Sequence, residues 1–265
     1  LVGALVTQEE SFRPNRKRRF ELINGIAQQA ILAIQNDLFT KAQLANERLN
    51  REFQLAREIQ KTFLPEVLPP VKGYEIDVLW KTARQVGGDF YDIFQVAPEQ
   101  YALLIADVSD KGLAASLYMA VARTMLRGVA DVKLTTSRTL EKLNELLLGN
   151  SQKGLFVTIF YGILDSKSGN LRYTNAGHNP PYIMRQGTNQ LIALAQRQIA
   201  IGAMPDIKLA EKEVTLLPGD YLVMHTDGVT ETFSQDGQLF GEVRYQEALA
   251  KCIGLEPRQL LVRID

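Results

Sequence analysis

One cysteine, Cys252, stands in 265 residues, so no disulfide can close within the chain and a thiolate zinc site is excluded. Histidine is nearly as scarce, with only His178 and His225 present, so any metal chemistry must rest on carboxylates. Net charge is missing too: 30 basic residues balance 30 acidic ones. A general nucleic-acid binder needs clustered positive charge, so no nucleic-acid partner is expected. No apolar run approaches the roughly 18–20 residues of a membrane helix and no signal peptide opens the chain, so no membrane partner is expected. A reducing cytoplasm suits this composition best. What the chain has is 46 % hydrophobic residues, enough for one good-sized core and a smaller module.

Proline is also absent between Glu21 and Phe63, where only Gly25 interrupts a helical composition. Apolar residues recur at Ile34, Leu38, Ala42, Ala45, Leu49, Phe53 and Ala56, a spacing of 3.67 that matches an eleven-residue repeat. The narrow stripe, flanked by Lys41, Glu47, Arg48, Arg51, Glu52 and Arg57, suits a helix-helix seam. Such a helix would run roughly 65 Å at 1.5 Å per residue. It reads as the linker of a parallel homodimer or as a single helix lying on its own domain. Before it, Leu1–Thr7 reads as a strand and the basic run Arg13–Arg19 as a solvated loop or helix start. A lone first strand leaves its ladder unpaired, so the chain is expected to be cut from something longer.

Pro65, Pro69 and Pro70 end the helix. Strands are then expected at Tyr74–Lys81, Asp89–Val96, Tyr101–Asp107, Leu155–Leu164, Leu171–Asn175, Pro181–Arg185, Glu213–Leu217 and Tyr221–Thr226. Helices are expected at Leu113–Val129, Thr136–Leu148, Val243–Ile253 and Pro257–Ile264. Leu155–Leu164 is apolar on both alternating faces, as a strand covered on both sides must be. Hairpin-linked strands with helices grouped between them predict an α+β fold, two stacked antiparallel sheets flanked by helices.

Three aspartates share a context. Asp89 follows Val86-Gly87-Gly88, Asp107 closes the run from Tyr101, and Asp227 closes the run from Tyr221 just before Gly228. Singly, each is ordinary turn chemistry. Together they would repel, since two carboxylates about 4 Å apart cost roughly 4 kcal/mol at an effective dielectric near 20. Converging acids must take up protons or hold cations, and oxygen-only ligands favour Mg²⁺ or Mn²⁺.

Val86-Gly-Gly-Asp-Phe-Tyr-Asp92, Asp107-Val-Ser-Asp-Lys-Gly112, Asn175-Ala-Gly-His-Asn-Pro-Pro181 and Thr226-Asp-Gly-Val-Thr-Glu231 occur in that order. Together they closely resemble the SpoIIE/RsbU branch of the PPM-type metal-dependent protein phosphatases. Ile59-Gln-Lys-Thr-Phe-Leu-Pro65 resembles that branch's lead-in to the domain. The resemblance implies an αββα sandwich over 65–265, two divalent cations (Mn²⁺ or Mg²⁺), and hydrolysis of phosphoserine or phosphothreonine on a partner such as an anti-sigma-factor antagonist. It implies that Asp107 bridges both ions, that the Val108 carbonyl ligates one, and that Asp227 binds the other, with Asp89 contributing directly or through water. It also implies a final strand with an Asp-Asp pair, which the sequence to Asp265 does not show. Residues 1–20 more loosely resemble the end of a GAF sensor domain, and 21–64 its closing helix running into a coiled-coil linker. A non-catalytic dimeric module of the same fold and a small phosphate-ester hydrolase are the rival readings.

Arg84 could grip a substrate phosphate or be a solvated strand arginine. His178 is expected to fix its loop rather than act as an acid, His225 to be packed, and Glu231 to stand behind the ligands. Asp110 and Lys111 would flank the following helix, and Asp92 could hydrogen-bond near the site.

Overall fold

In the computed structural model, residues 16–150, 154–188, 190–196, 198–234 and 236–264 are described, the side chains of 16 and 150 excepted. The expected first strand, Leu1–Thr7, and Asp265 lie outside them. The chain divides into two units, Leu1–Leu55 and Ala56–Asp265. Helix α1 spans Arg16–Thr62, starting inside the basic run. Its composition explains its length, for strong helix formers fill it and one glycine interrupts it. It closes through tighter turns, Phe63 N–H to Gln60 O and Leu64 N–H to Lys61 O, just before Pro65. No helix among the described residues is long and apolar enough to cross a membrane.

In the second unit, β1 (Phe90–Ala97), β2 (Gln100–Val108), β3 (Val157–Asp165), β4 (Asn170–Ala176) and β7 (Lys212–Thr215) form an antiparallel sheet in the order β1-β2-β3-β4-β7. A smaller sheet has the order β6-β5-β8, from β5 (Tyr182–Arg185), β6 (Gln190–Ala193) and β8 (Tyr221–Val223). Helices α2 (Leu113–Val129) and α3 (Thr136–Asn150) cover the outer face of the large sheet. The short α4 (Asp227–Thr230) follows β8, and α5 (Gly241–Ala250) and α6 (Pro257–Ile264) cover the small sheet.

Strand alternation builds three apolar layers. On β3, Val157, Ile159, Tyr161 and Ile163 meet Met119 and Leu126 of α2 and Leu143 of α3. The intervening Phe160 and Leu164 turn the other way, toward Ile183 of β5. Tyr182 and Met184 of β5 face Tyr245 and Leu249 of α5. The order is therefore helices, sheet, sheet, helices, and full burial of each large apolar side chain stabilises it by about 1.5–3 kcal/mol.

Three sequence expectations need correction. Tyr74–Lys81 forms no strand; Tyr74 and Ile76 pack on the inter-sheet core and Trp80 on the helix side. The strand expected to end at Thr226 stops at Val223, and Asp227 opens a helix instead. Gln190–Ala193 pairs as β6, which its exposed, mixed composition did not signal.

Candidate metal centre

Each of the three aspartates reaches the site for a local reason. On β2, Ala106 and Val108 point into the helix-side core, so Asp107 between them must face the other sheet. Asp89 precedes β1, which pairs antiparallel with β2 so that Phe90 lies opposite Ala106. Asp227 arrives from the second sheet, as the first residue of α4. One carboxylate oxygen from each lies within 4.8 Å of those of the other two.

Gly88 makes the approach possible. A Cβ there would stand 2.8 Å from the Val108 carbonyl oxygen and 3.1 Å from Asp107 Oδ1. Any larger residue would push the Asp89 turn away from the end of β2. Thr226 donates its hydroxyl to Asp89 Oδ2 at 2.8 Å, and Trp80 Nε1 donates to the Asp89 carbonyl at 3.1 Å. The Asp107–Gly112 loop is pinned as well. Ser109 N–H donates to Phe156 O and Phe156 N–H to Ser109 Oγ, both at 2.9 Å. Asp110 takes a positive φ of 82°, with its carboxylate accepting the Lys111 N–H.

The electrostatics are those of an acid cluster lacking countercharge. Burial, a hydrogen bond to Asp89 and the charges of Asp89 and Asp227 push Asp107 up to about 8, and Lys111 offsets only part of this. Asp227 is also raised, by burial first, then by Asp89 and Glu231. A carboxyl still protonated at neutral pH between two others is a site short of positive charge. All of its donors are hard oxygens, so Mg²⁺ or Mn²⁺ fits it in both charge and ligand type.

Arg84 and Lys111 are both exposed and line the same open groove as the aspartates, together with Phe233 and Arg244. His178 is buried and tied in place: its N–H donates to Asn175 Oδ1 at 2.8 Å, and Nδ1 meets Thr158 Oγ1 at 3.0 Å. Burial, with His225 nearby, lowers it to about 4, so it is neutral at pH 7. His225 packs against Tyr182 and Tyr245, its ring centroid 4.3 Å from that of Tyr245, and burial lowers its pKa. Glu231 is exposed and donates its N–H to the Asp227 carbonyl at 2.7 Å.

Asp92 lies elsewhere. Fully buried on the helix side of β1, it binds Arg127 bidentately at 2.6 and 2.7 Å and pairs with Arg123 at 2.9 Å. Arg123 and Arg127 went unmarked in the sequence, and Thr226 and Gln60 stood there only as members of longer motifs. The arginines sit four apart on α2, a spacing that puts both on one helix face. Gln60 occupies the next position of the stripe that ends at Phe53 and Ala56, a polar residue where an apolar one is due.

Comparison with known proteins bears on the family and the fold. Protein IcfG of Synechocystis sp. (strain ATCC 27184 / PCC 6803 / Kazusa) is 32 % identical over 255 residues, spanning 85 % of this chain and 40 % of IcfG. Phosphoserine phosphatase RsbU of Bacillus subtilis (strain 168) is 28 % identical over 193 residues, 73 % of this chain and 57 % of RsbU. The chain thus spans between two-fifths and three-fifths of the length of these relatives. The SiaA-PP2C domain of Pseudomonas aeruginosa shares the fold, with a TM-score of 0.69 at 21 % identity over 83 % of this chain and 89 % of that one. The family model described as Stage II sporulation protein E (SpoIIE) matches residues 97–264, and the chain belongs to that family.

Proposed function

We propose that this chain is a divalent-cation-dependent protein serine/threonine phosphatase. The observation that carries the reading is the convergence of Asp89, Asp107 and Asp227 within 4.8 Å, in a groove open to a large substrate. The likeness to a protein named phosphoserine phosphatase supports the same chemistry.

Asp107, Asp89 and Asp227, with the Val108 carbonyl, would form the donor set for two cations, Mn²⁺ or Mg²⁺. Cations bound there supply polarisation of phosphoryl oxygens and activation of water for in-line attack. The chain's own residues do the rest. Asp107, once deprotonated, would offer its carboxylate to the cations, while the Thr226 hydroxyl holds Asp89 in orientation. Arg84 offers its planar fork of donors to the phosphoryl oxygens from the groove wall. His178, neutral and buried, supports the Thr158 side chain, whose hydroxyl lies 3.4 Å from the Asp107 carbonyl.

The substrate in this reading is a phosphorylated signalling partner such as an anti-sigma-factor antagonist. A sensor and linker comprising residues 1–64 regulate the domain, and α1 pairs with a second copy. The stripe residues Ile34, Leu38 and Leu49 are all exposed on α1, which supports that pairing.

The test is phosphate release from a phosphoserine protein, without added cation and with Mn²⁺ or Mg²⁺, alongside p-nitrophenyl phosphate. Cation-dependent release from the protein at higher catalytic efficiency, lost in Asp107→Asn, is the expected result. No release with either cation would leave a non-catalytic module of the same fold, and preference for the small ester would make the chain a small-molecule hydrolase.

A further inference from the structure

Gln60 is the only buried side chain among the described residues of α1, 3 % exposed on a helix otherwise exposed or half-buried. Its carboxamide grips both edges of one distant residue: Nε2 donates to Gly87 O at 2.6 Å, and Gly87 N–H donates to Oε1 at 3.3 Å. One such bond would leave a hinge, whereas two fix the orientation of the Gly87 backbone. The chain beyond it has little slack. Gly88 lies against Val108 O and Asp107 Oδ1, and Asp89 is held at its carbonyl by Trp80 and at its carboxylate by Thr226. Gln60 and the metal ligand Asp89 are thus joined through two glycines, the residues that resist displacement least when nothing clamps them.

We propose that Gln60 is a positioning residue for the metal centre: by clamping Gly87, the last turns of α1 set where the Asp89 carboxylate stands relative to Asp107 and the Val108 carbonyl. The inference rests on the cation-binding reading of the three aspartates. It makes the end of α1 part of the support of the site, so that a shift of this turn along or about its axis is felt at Asp89. A glutamine that merely filled the space under the turn would affect stability and nothing else.

The experiment is a titration of the metal-free full chain with Mn²⁺, followed by the electron paramagnetic resonance signal of the free ion. Wild type is compared with Gln60→Ala, with Gln60→Met, which keeps the volume and loses both hydrogen bonds, and with Leu143→Ala, a core cavity in α3 that removes neither hydrogen bond of the clamp. Both Gln60 variants are expected to bind Mn²⁺ about tenfold more weakly or worse, the scale of losing an outer partner of a metal ligand. Their half-maximal Mn²⁺ concentration for turnover rises in step, while kcat at saturating Mn²⁺ stays within about twofold. Leu143→Ala is expected to melt earlier but bind Mn²⁺ as wild type does. Wild-type Mn²⁺ affinity in folded Gln60→Met overturns the proposal, as does an equal loss in Leu143→Ala. A wild-type chain that binds no Mn²⁺ through the aspartates overturns the cation reading itself.

Discussion

The Thr226 hydroxyl donates to Asp89 Oδ2 at 2.8 Å, joining residues 137 positions apart, one just before β1 of the large sheet and the other just after β8 of the small one. It orients a carboxylate that would otherwise swing free of its two neighbours. Thr226→Val keeps the shape and removes the donor. We expect Mn²⁺ affinity to fall by about tenfold, with a change in melting temperature of only a few degrees. Isothermal titration against thermal melting checks both; unchanged affinity would show that Asp89 needs no such guide.

The acid cluster sets a pH dependence whose sign is opposite to that of an ordinary ion-paired carboxylate. Asp107 is raised from 3.8 to about 8 in the metal-free fold. Between those values the folded chain holds a proton that the unfolded chain has released, so the cluster lowers stability progressively as pH rises through that window. Melting curves taken in chelator should show this fall, levelling off above about pH 8. In Asp107→Asn the slope should flatten, and saturating Mn²⁺ should abolish it in wild type. A slope that Asp107→Asn leaves untouched would place its origin elsewhere.

Asp92, fully buried between Arg123 and Arg127, fastens β1 to α2 on the face of the sheet away from Asp107. Asp92→Asn leaves the arginines without their countercharge. The expected loss is about 3 kcal/mol, the cost of breaking one side of a buried ion pair. Urea denaturation measures it directly; a change below about 0.5 kcal/mol, ordinary for a surface site, would mean that the partly exposed Arg127 carries the pair and is rehydrated at little cost.

On α1 the exposed stripe residues Leu38 and Leu49 are expected to form the seam between two copies. Leu38→Lys with Leu49→Lys should yield a monomer by sedimentation, with the melting of the unit Ala56–Asp265 unchanged. A wild-type chain that sediments as a monomer at tens of micromolar would remove the seam.

Much of this was legible along the chain. α2 and α6 begin and end where the hydrophobic pattern places them, and β3 is buried on both faces as its unbroken apolar run requires. Tyr74–Lys81 misled because its apolar residues alternate as a strand's do. They serve instead to pack an irregular segment on two different cores, with no ladder partner. β6 was missed because its side chains are largely exposed, and pairing with β5 alone defines it.

The sequence by itself determined which residues are available to hold cations. With one cysteine and two histidines, both drawn into packing, only oxygen ligands remained, and strand alternation already turned Asp107 away from the helix-side core. Tertiary structure alone decided how those oxygens are held. Gln60 reaches Gly87 across 27 residues and Thr226 reaches Asp89 across 137, and no local pattern encodes either contact. The physical reason is range. Periodicity reports which face a side chain presents, whereas a hydrogen bond between distant segments exists only once the layers have stacked and fixed both ends.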